Sequence, residues 1–289
     1  MNPRPRLFIT GASGTLGGPL SAQAAAAGWD VIAGYLSHPQ RIRAGLPYRL
    51  DLRDAAGVRA SVLALQPDVI IHTAVTERSG PDYAETIRLA ARSVADAARA
   101  ANARLIALST DLVFDGTLPV YDETALARPA PGNVYGRAKL DAERTLLTLY
   151  PAALIVRTSL IYDFDPANAQ LAWMLRAIAQ GERVRLYTDQ IRCPIWVWTL
   201  ASALLELADS SAAGLLHVVG PEPVSRYTLG CALLEAVGRD PAAHVVPTTA
   251  PSNVPRRLVL STNRARAMLR ATPLLSLADA RARWEARRA

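Results

Sequence analysis

Of the 32 basic residues in this 289-residue chain, a single one is lysine, Lys139, and the remainder are arginine. Cysteine is almost as scarce. Cys193 and Cys231 form neither a disulfide framework nor a zinc-ligand spacing, and the four histidines, at 38, 72, 217 and 244, are scattered, so no metal site is expected. Long apolar runs are missing too, because Arg, Asp, Glu or Pro interrupts each of them before the roughly 20 residues of a membrane helix. The opening MNPRPRLFITGASG lacks a signal peptide's apolar core and cleavage site, so a cytoplasmic protein without a membrane partner is expected. The net charge is +7, yet the arginines are dispersed and never make a five-residue basic run. That pattern argues against nucleic acid and for a small anionic partner, such as a phosphorylated cofactor or a sugar nucleotide.

Hydrophobic residues make up 51% of the chain, enough for one large α/β unit or two intimately joined domains. From Arg6 onward, short apolar β-rich runs (RLFIT, WDVIAGY, PDVIIHTAV, RLIALST) alternate with alanine-rich helical stretches. Strands so uniformly apolar belong to a parallel sheet covered on both faces, and the expected fold is a Rossmann-type doubly wound α/β sheet. Further strands are expected in ALIVRTSLIY and GLLHVVG, with a helix from Val134 to about Leu149 between the sheet strands. The pattern loosens from about Asp163. Residues 1–160, with 194–220 returning to them, are expected to form the nucleotide-binding domain. Residues 161–193 and 221–289 are expected to form a smaller interleaved substrate-binding lobe, with the ligand in the cleft between.

ITGASGTLGG places Gly11, Gly14 and Gly17 between the first strand and an alanine-rich helix. Without Cβ atoms such a loop turns tightly and lets backbone N–H groups and the helix N-terminus meet a pyrophosphate. The Gly-x-x-Gly-x-x-Gly spacing differs from the ordinary dinucleotide fingerprint and resembles that of the short-chain dehydrogenase/reductase superfamily. The resemblance implies that Ser13, Thr15 and Leu16 touch the cofactor with the glycines, that Asp51 and Leu52 border the adenine, and that Thr73 and Ala74 line the nicotinamide ribose. An acidic residue at the end of the second strand would accept hydrogen bonds from the ribose of NAD. VIAGYLSHPQRIR has none there and offers Ser37, His38 and Arg41, which favours NADP(H) while leaving NAD(H) possible.

Tyr135 and Lys139 stand four apart at the start of a helix and share one face. Reducing a ketone makes an alkoxide that needs a proton. A tyrosine, with a free pKa of about 10, supplies one readily only when a neighbouring cation stabilises the phenolate. A compact ammonium does this and also reaches a ribose, whereas a planar guanidinium has another shape and cannot relay a proton. A hydroxyl at the end of the preceding strand, Ser109 or Thr110, would orient the carbonyl.

STDLVFDG, YDE, NVYGRAKLDAE, VRTSLIYD and DQIRCPIWVWTLASALLEL follow in the order and spacing of extended short-chain reductases of the dTDP-4-dehydrorhamnose reductase type. The similarity runs from Arg6 to RRLVLSTNRARAML. It implies Thr110, Tyr135 and Lys139 as catalytic residues, with Tyr135 and Lys139 also on the cofactor, and Thr110, Asp111, Leu160 and Arg192 on the substrate. Three positions depart from the pattern. Leu160 replaces a tryptophan that packs on the sugar; DQIRCP carries Arg192, able to grip a diphosphate or carboxylate or to lie at the surface; and ETIRLAARS lacks the asparagine of many extended members. The implied activity is NAD(P)H-dependent reduction of a keto group on a nucleotide-linked sugar or related anionic metabolite, by a monomer or homodimer. The same branch includes the non-catalytic β subunit of methionine adenosyltransferase, and nucleotide-sugar epimerases use similar residues.

Overall fold

A computed structural model describes residues 4–75 and 82–288. Its first half alternates strand and helix: β1 (Arg6–Thr10), α1 (Gly17–Ala26), β2 (Asp30–Tyr35), β3 (Leu46–Arg49), α2 (Ala55–Leu65), β4 (Val69–His72), α3 (Tyr83–Ala101), β5 (Arg104–Thr110), α4 (Val134–Leu149) and β6 (Leu154–Thr158). Then come β7 (Ile161–Tyr162), α5 (Ala169–Ala179), β8 (Val184–Tyr187), β9 (Ile191–Arg192), β10 (Ile195–Trp196), α6 (Val197–Ala208) and β11 (Gly214–His217). The chain ends with β12 (Val224–Ser225), α7 (Arg226–Ala236), α8 (Pro241–His244), β13 (Val245–Thr248), α9 (Asn263–Met268) and α10 (Leu277–Ala286).

Seven strands form one sheet in the order β11-β6-β5-β4-β1-β2-β3, and every pairing in it is parallel. The sheet is doubly wound. Its direction of growth reverses between β1 and β4, and ligands of such sheets lie outside the carboxyl ends of the strands at that reversal. Alternate side chains explain why the strands are apolar throughout. Leu7 and Ile9 enter the core layer that also holds Leu20 of α1 and Leu200 and Leu204 of α6, while Phe8 enters the opposite layer with Val62 of α2, Val94 of α3 and Leu146 of α4. Ile71 and Ile70 divide between the two layers in the same way.

The strand expected in GLLHVVG pairs with β6 at the sheet edge. The loosely patterned C-terminal region contains three two-stranded sheets, β7 with β10, β8 with β13 and β9 with β12. Two of the three include two-residue strands, too short to show a period in the sequence. No helix among the described residues is long and apolar enough to cross a membrane.

Candidate active site

The glycine loop is built so that side chains cannot enter it. Gly11 has φ +75°, and a Cβ there would lie 2.7 Å from Cα of Ala74; one on Gly17 would lie 2.1 Å from the Gly11 carbonyl oxygen. The loop is therefore closed against the end of β4. α2, α4, α5 and α7 each begin with a side-chain cap, from Asp54, Asn133, Asn168 and Ser225, but α1 has none. An uncapped helix N-terminus behind a close-packed glycine turn at the sheet's reversal fits a dinucleotide pyrophosphate.

Other residues expected at the cofactor surround this loop. Ser13 donates to the Ser37 carbonyl at 2.9 Å, tying the loop to the end of β2, where Ser37, His38 and Arg41 are all exposed. Thr73 donates to the Thr10 carbonyl at 2.7 Å. Leu52 packs on the core, whereas the Asp51 carboxylate is held by Arg53, 2.6 Å away, whose hydrogen bonds keep its pKa below the usual range. Beneath Thr73, the buried His72 shares a hydrogen bond of 2.7 Å with Thr10. Burial, and then the charge of Lys139, hold the His72 imidazole neutral with its pKa lowered to about 3.

α4 reaches the end of β5 through two residues that were not singled out in the sequence. Gly136 lies so close to the Leu112 carbonyl oxygen that a Cβ would come within 2.1 Å of it, and Asn133 both caps the helix and donates to the same oxygen at 3.2 Å. This docking seats the first turn of α4, which carries Tyr135, just past the end of β5. Lys139 is buried and donates from Nζ to the Leu108 carbonyl at 2.6 Å.

Ser109 and Thr110 differ in their hydrogen-bond partners. Ser109 turns toward α4 and donates to Glu143, whose carboxylate also takes Arg157 bidentately, with Nη2 to Oε2 at 2.7 Å. Among the described residues Thr110 has only long contacts of 3.2 Å, donating to Asp111 and accepting from the Leu112 N–H. Glu143 and Arg157 were missed, though a carboxylate four residues after Lys139 on the same helical face was the available signal.

Asp111 and Arg192, both expected on the substrate, instead face one another. Asp111 is wholly buried and receives Arg192 through Nε at 2.6 Å and through Nη2, with Ser159 donating at 2.5 Å. Arg192 is thus no surface residue. Leu160 is half-buried against the core and bonds through its carbonyl to the N–H of Ile195 at 2.9 Å. Among the described residues no group of three or more His, Cys, Asp or Glu could hold a metal ion.

A doubly wound parallel sheet, a close-packed glycine turn and a Tyr-x-x-x-Lys helix docked on a threonine-bearing strand end define an extended short-chain dehydrogenase/reductase. The RmlD substrate binding domain matches residues 5–274, and the chain belongs to that family. It is 36% identical over 248 residues to dTDP-4-dehydrorhamnose reductase of Mycobacterium tuberculosis, covering 82% of this chain and 77% of the other. Its identity to methionine adenosyltransferase 2 subunit beta of Xenopus tropicalis is 34% over 262 residues, covering 86% and 76%. Among solved structures, dTDP-4-dehydrorhamnose reductase from Bacillus anthracis in complex with NADP superposes with a TM-score of 0.82 at 25% identity, over 99% of each chain. The Bordetella bronchiseptica enzyme WbmH in complex with NAD+ shares the fold, with a TM-score of 0.82 at 19% identity over 96% of each chain.

Proposed function

We propose that this protein is an NAD(P)H-dependent reductase of a keto group on a nucleotide-linked sugar of the dTDP-4-dehydrorhamnose kind, with NADP(H) the preferred cofactor. The observation that carries this reading is the docking of α4. Gly136 seats the first turn of α4, with Tyr135, just past the end of β5, the buried Lys139 bonds the Leu108 carbonyl of that strand, and among the described residues the hydrogen bonds of the Thr110 hydroxyl are long, at 3.2 Å. When bound, the nicotinamide supplies the hydride. Thr110 exchanges its long contact with Asp111 for the carbonyl oxygen and orients it. Tyr135 gives the proton to the developing alkoxide, and the Lys139 ammonium favours the phenolate that remains. Gly11, Gly14, Gly17 and the α1 N-terminus hold the pyrophosphate, while exposed Ser37, His38 and Arg41 with no acidic neighbour suit a 2′-phosphate. Segments 161–193 and 221–289 supply the substrate lobe.

The test is oxidation of NADPH in the presence of dTDP-4-keto-6-deoxy sugars, with Tyr135→Phe as the control. Stoichiometric release of oxidised cofactor supports a reductase. Turnover that keeps the cofactor bound and yields an epimer overturns the reading, as does unchanged turnover in Tyr135→Phe. The identity to methionine adenosyltransferase 2 subunit beta favours a second reading, a nucleotide-binding regulatory subunit. Tight NADPH binding with no turnover of any keto sugar supports that one.

A further inference from the structure

β9 and β12 are antiparallel, with Arg192 opposite Val224 and Ile191 opposite Ser225. The ladder extends one step further, because the N–H of Arg226 donates to the Gln190 carbonyl at 3.0 Å. Directly opposed residues share a face, and the face alternates along each strand, so Gln190, Arg192, Val224 and Arg226 all look the same way. The direction is known from Arg192, whose guanidinium reaches Asp111 beside Thr110. Ser225 is still extended, with φ −74° and ψ 158°, so the alternation carries to Arg226, the first residue of α7, and sets it on the same side as Arg192, close enough to feel its charge.

The two arginines differ in their counter-ions. Arg192 has Asp111, and nearby Arg256 has Asp189, but among the described residues Arg226 bonds only a neutral amide, donating from Nη1 to Oε1 of Gln170 at 3.0 Å. Burial, and then the like charge of Arg192, push the Arg226 pKa down to about 10. A half-buried guanidinium beside a second one, with no carboxylate, is costly unless an anion completes it. The amide of Gln170 leaves the fork's charge intact while fixing its direction, which is what bidentate phosphate recognition needs.

We propose that Arg226, steered by Gln170 and flanked by Arg192, is a phosphate-binding residue for the diphosphate of a nucleotide-linked substrate. The identity of that substrate rests on the reductase reading; the anion site itself does not.

Titration calorimetry with dTDP, with inorganic pyrophosphate and with thymidine tests the site on the full chain. Arg226→Gln is expected to raise the Kd for dTDP and pyrophosphate at least tenfold, to leave weak thymidine binding as it was, and to leave NADPH binding unchanged. Gln170→Glu supplies an internal counter-ion without removing the arginine, and is expected to weaken dTDP binding by a similar factor. This second variant decides the matter if Arg226→Gln folds poorly. A dTDP Kd within twofold of wild type in Gln170→Glu or in a folded Arg226→Gln overturns the proposal, as does an absence of dTDP binding to the wild type. Loss of dTDP binding in both variants by a protein that reduces no keto sugar leaves the anion site standing and removes the reductase reading. Tyr135-dependent turnover indifferent to Arg226 does the reverse.

Discussion

Thr110 stands between two sets of the same chemistry. On one side, Ser109, Glu143 and Arg157 join β5, α4 and β6 inside the large sheet. On the other, Asp111, Arg192 and Ser159 join the end of β5 to β9, outside that sheet. Both are buried acid–arginine pairs with a serine donating to the acid, but they fasten different things. The inner pair lies between a strand and its covering helix, with the Arg157 guanidinium 5.1 Å from the centre of the Phe114 ring, so its loss leaves a charge among core side chains that cannot move away. The outer pair spans from the sheet to a two-residue strand, so its loss lets β9 shift relative to Thr110. The inner set ties α4 to β5 and β6, and the outer set ties the end of β5 to β9.

The largest expected effect belongs to Tyr135, in the first turn of the helix that the inner set ties to β5. Tyr135→Phe should lower kcat by about 10²–10⁴-fold with little change in thermal stability, the range for loss of a positioned proton donor. A stability loss comparable to that of a core variant would show that the tyrosine supports the fold instead. Next comes the inner pair. Glu143→Gln should destabilise the fold by about 3–5 kcal/mol, the usual consequence of leaving one member of a buried ion pair alone. Asp111→Asn should cost less stability and instead raise KM for the keto substrate. Urea midpoints for the two variants decide the comparison, and equal losses of stability with equal KM values would erase the distinction drawn between them.

Acid should probe the inner set through its neighbour. His217 is fully buried, and burial, then the charge of Arg157, hold its pKa down to about 3. An unfolded histidine titrates near 6.5, so as the pH falls the unfolded chain takes the proton first. The contribution of His217 to stability is therefore complete above about pH 6.5 and declines by about 1.4 kcal/mol per pH unit toward pH 3. His72, buried on the other side of Lys139, adds the same dependence. His217→Phe should make the fall in urea midpoint between pH 7 and pH 4.5 shallower than in the wild type, and an unaltered slope would exclude His217 as a source. The smallest effect lies away from both pairs. Arg41→Ala should weaken NADPH binding about fivefold and leave NADH unaffected, the scale of an exposed charge contact, measured by fluorescence titration.

Much of the frame was legible in the chain. Strands with both faces apolar, the glycine spacing after the first of them and the four-residue step from Tyr135 to Lys139 each follow from local geometry, and the α4 bounds read from the sequence are those observed. Arg192 and Asp111 were expected on the substrate and not as partners of one another, because 81 residues separate them and nothing local encodes the contact. Ser109 and Thr110 were indistinguishable for a related reason. Adjacent strand residues point to opposite faces, and only the packed neighbours say which of the two reaches Glu143 and which reaches Asp111.

The sequence by itself determined the doubly wound α/β class, the glycine turn after β1 and the helix that carries Tyr135 and Lys139, since these depend on residues within a few turns of one another. Tertiary structure alone decided that Ser109 bonds Glu143 while Thr110, among the described residues, has long contacts only, that Gly136 seats α4 just past the strand end, and that Arg192 pairs with a carboxylate while Arg226, among the same residues, bonds a neutral amide. Those outcomes depend on which charge finds which partner across the folded chain. Ion pairing in a buried site is decided by distance and desolvation, neither of which is written in the order of residues.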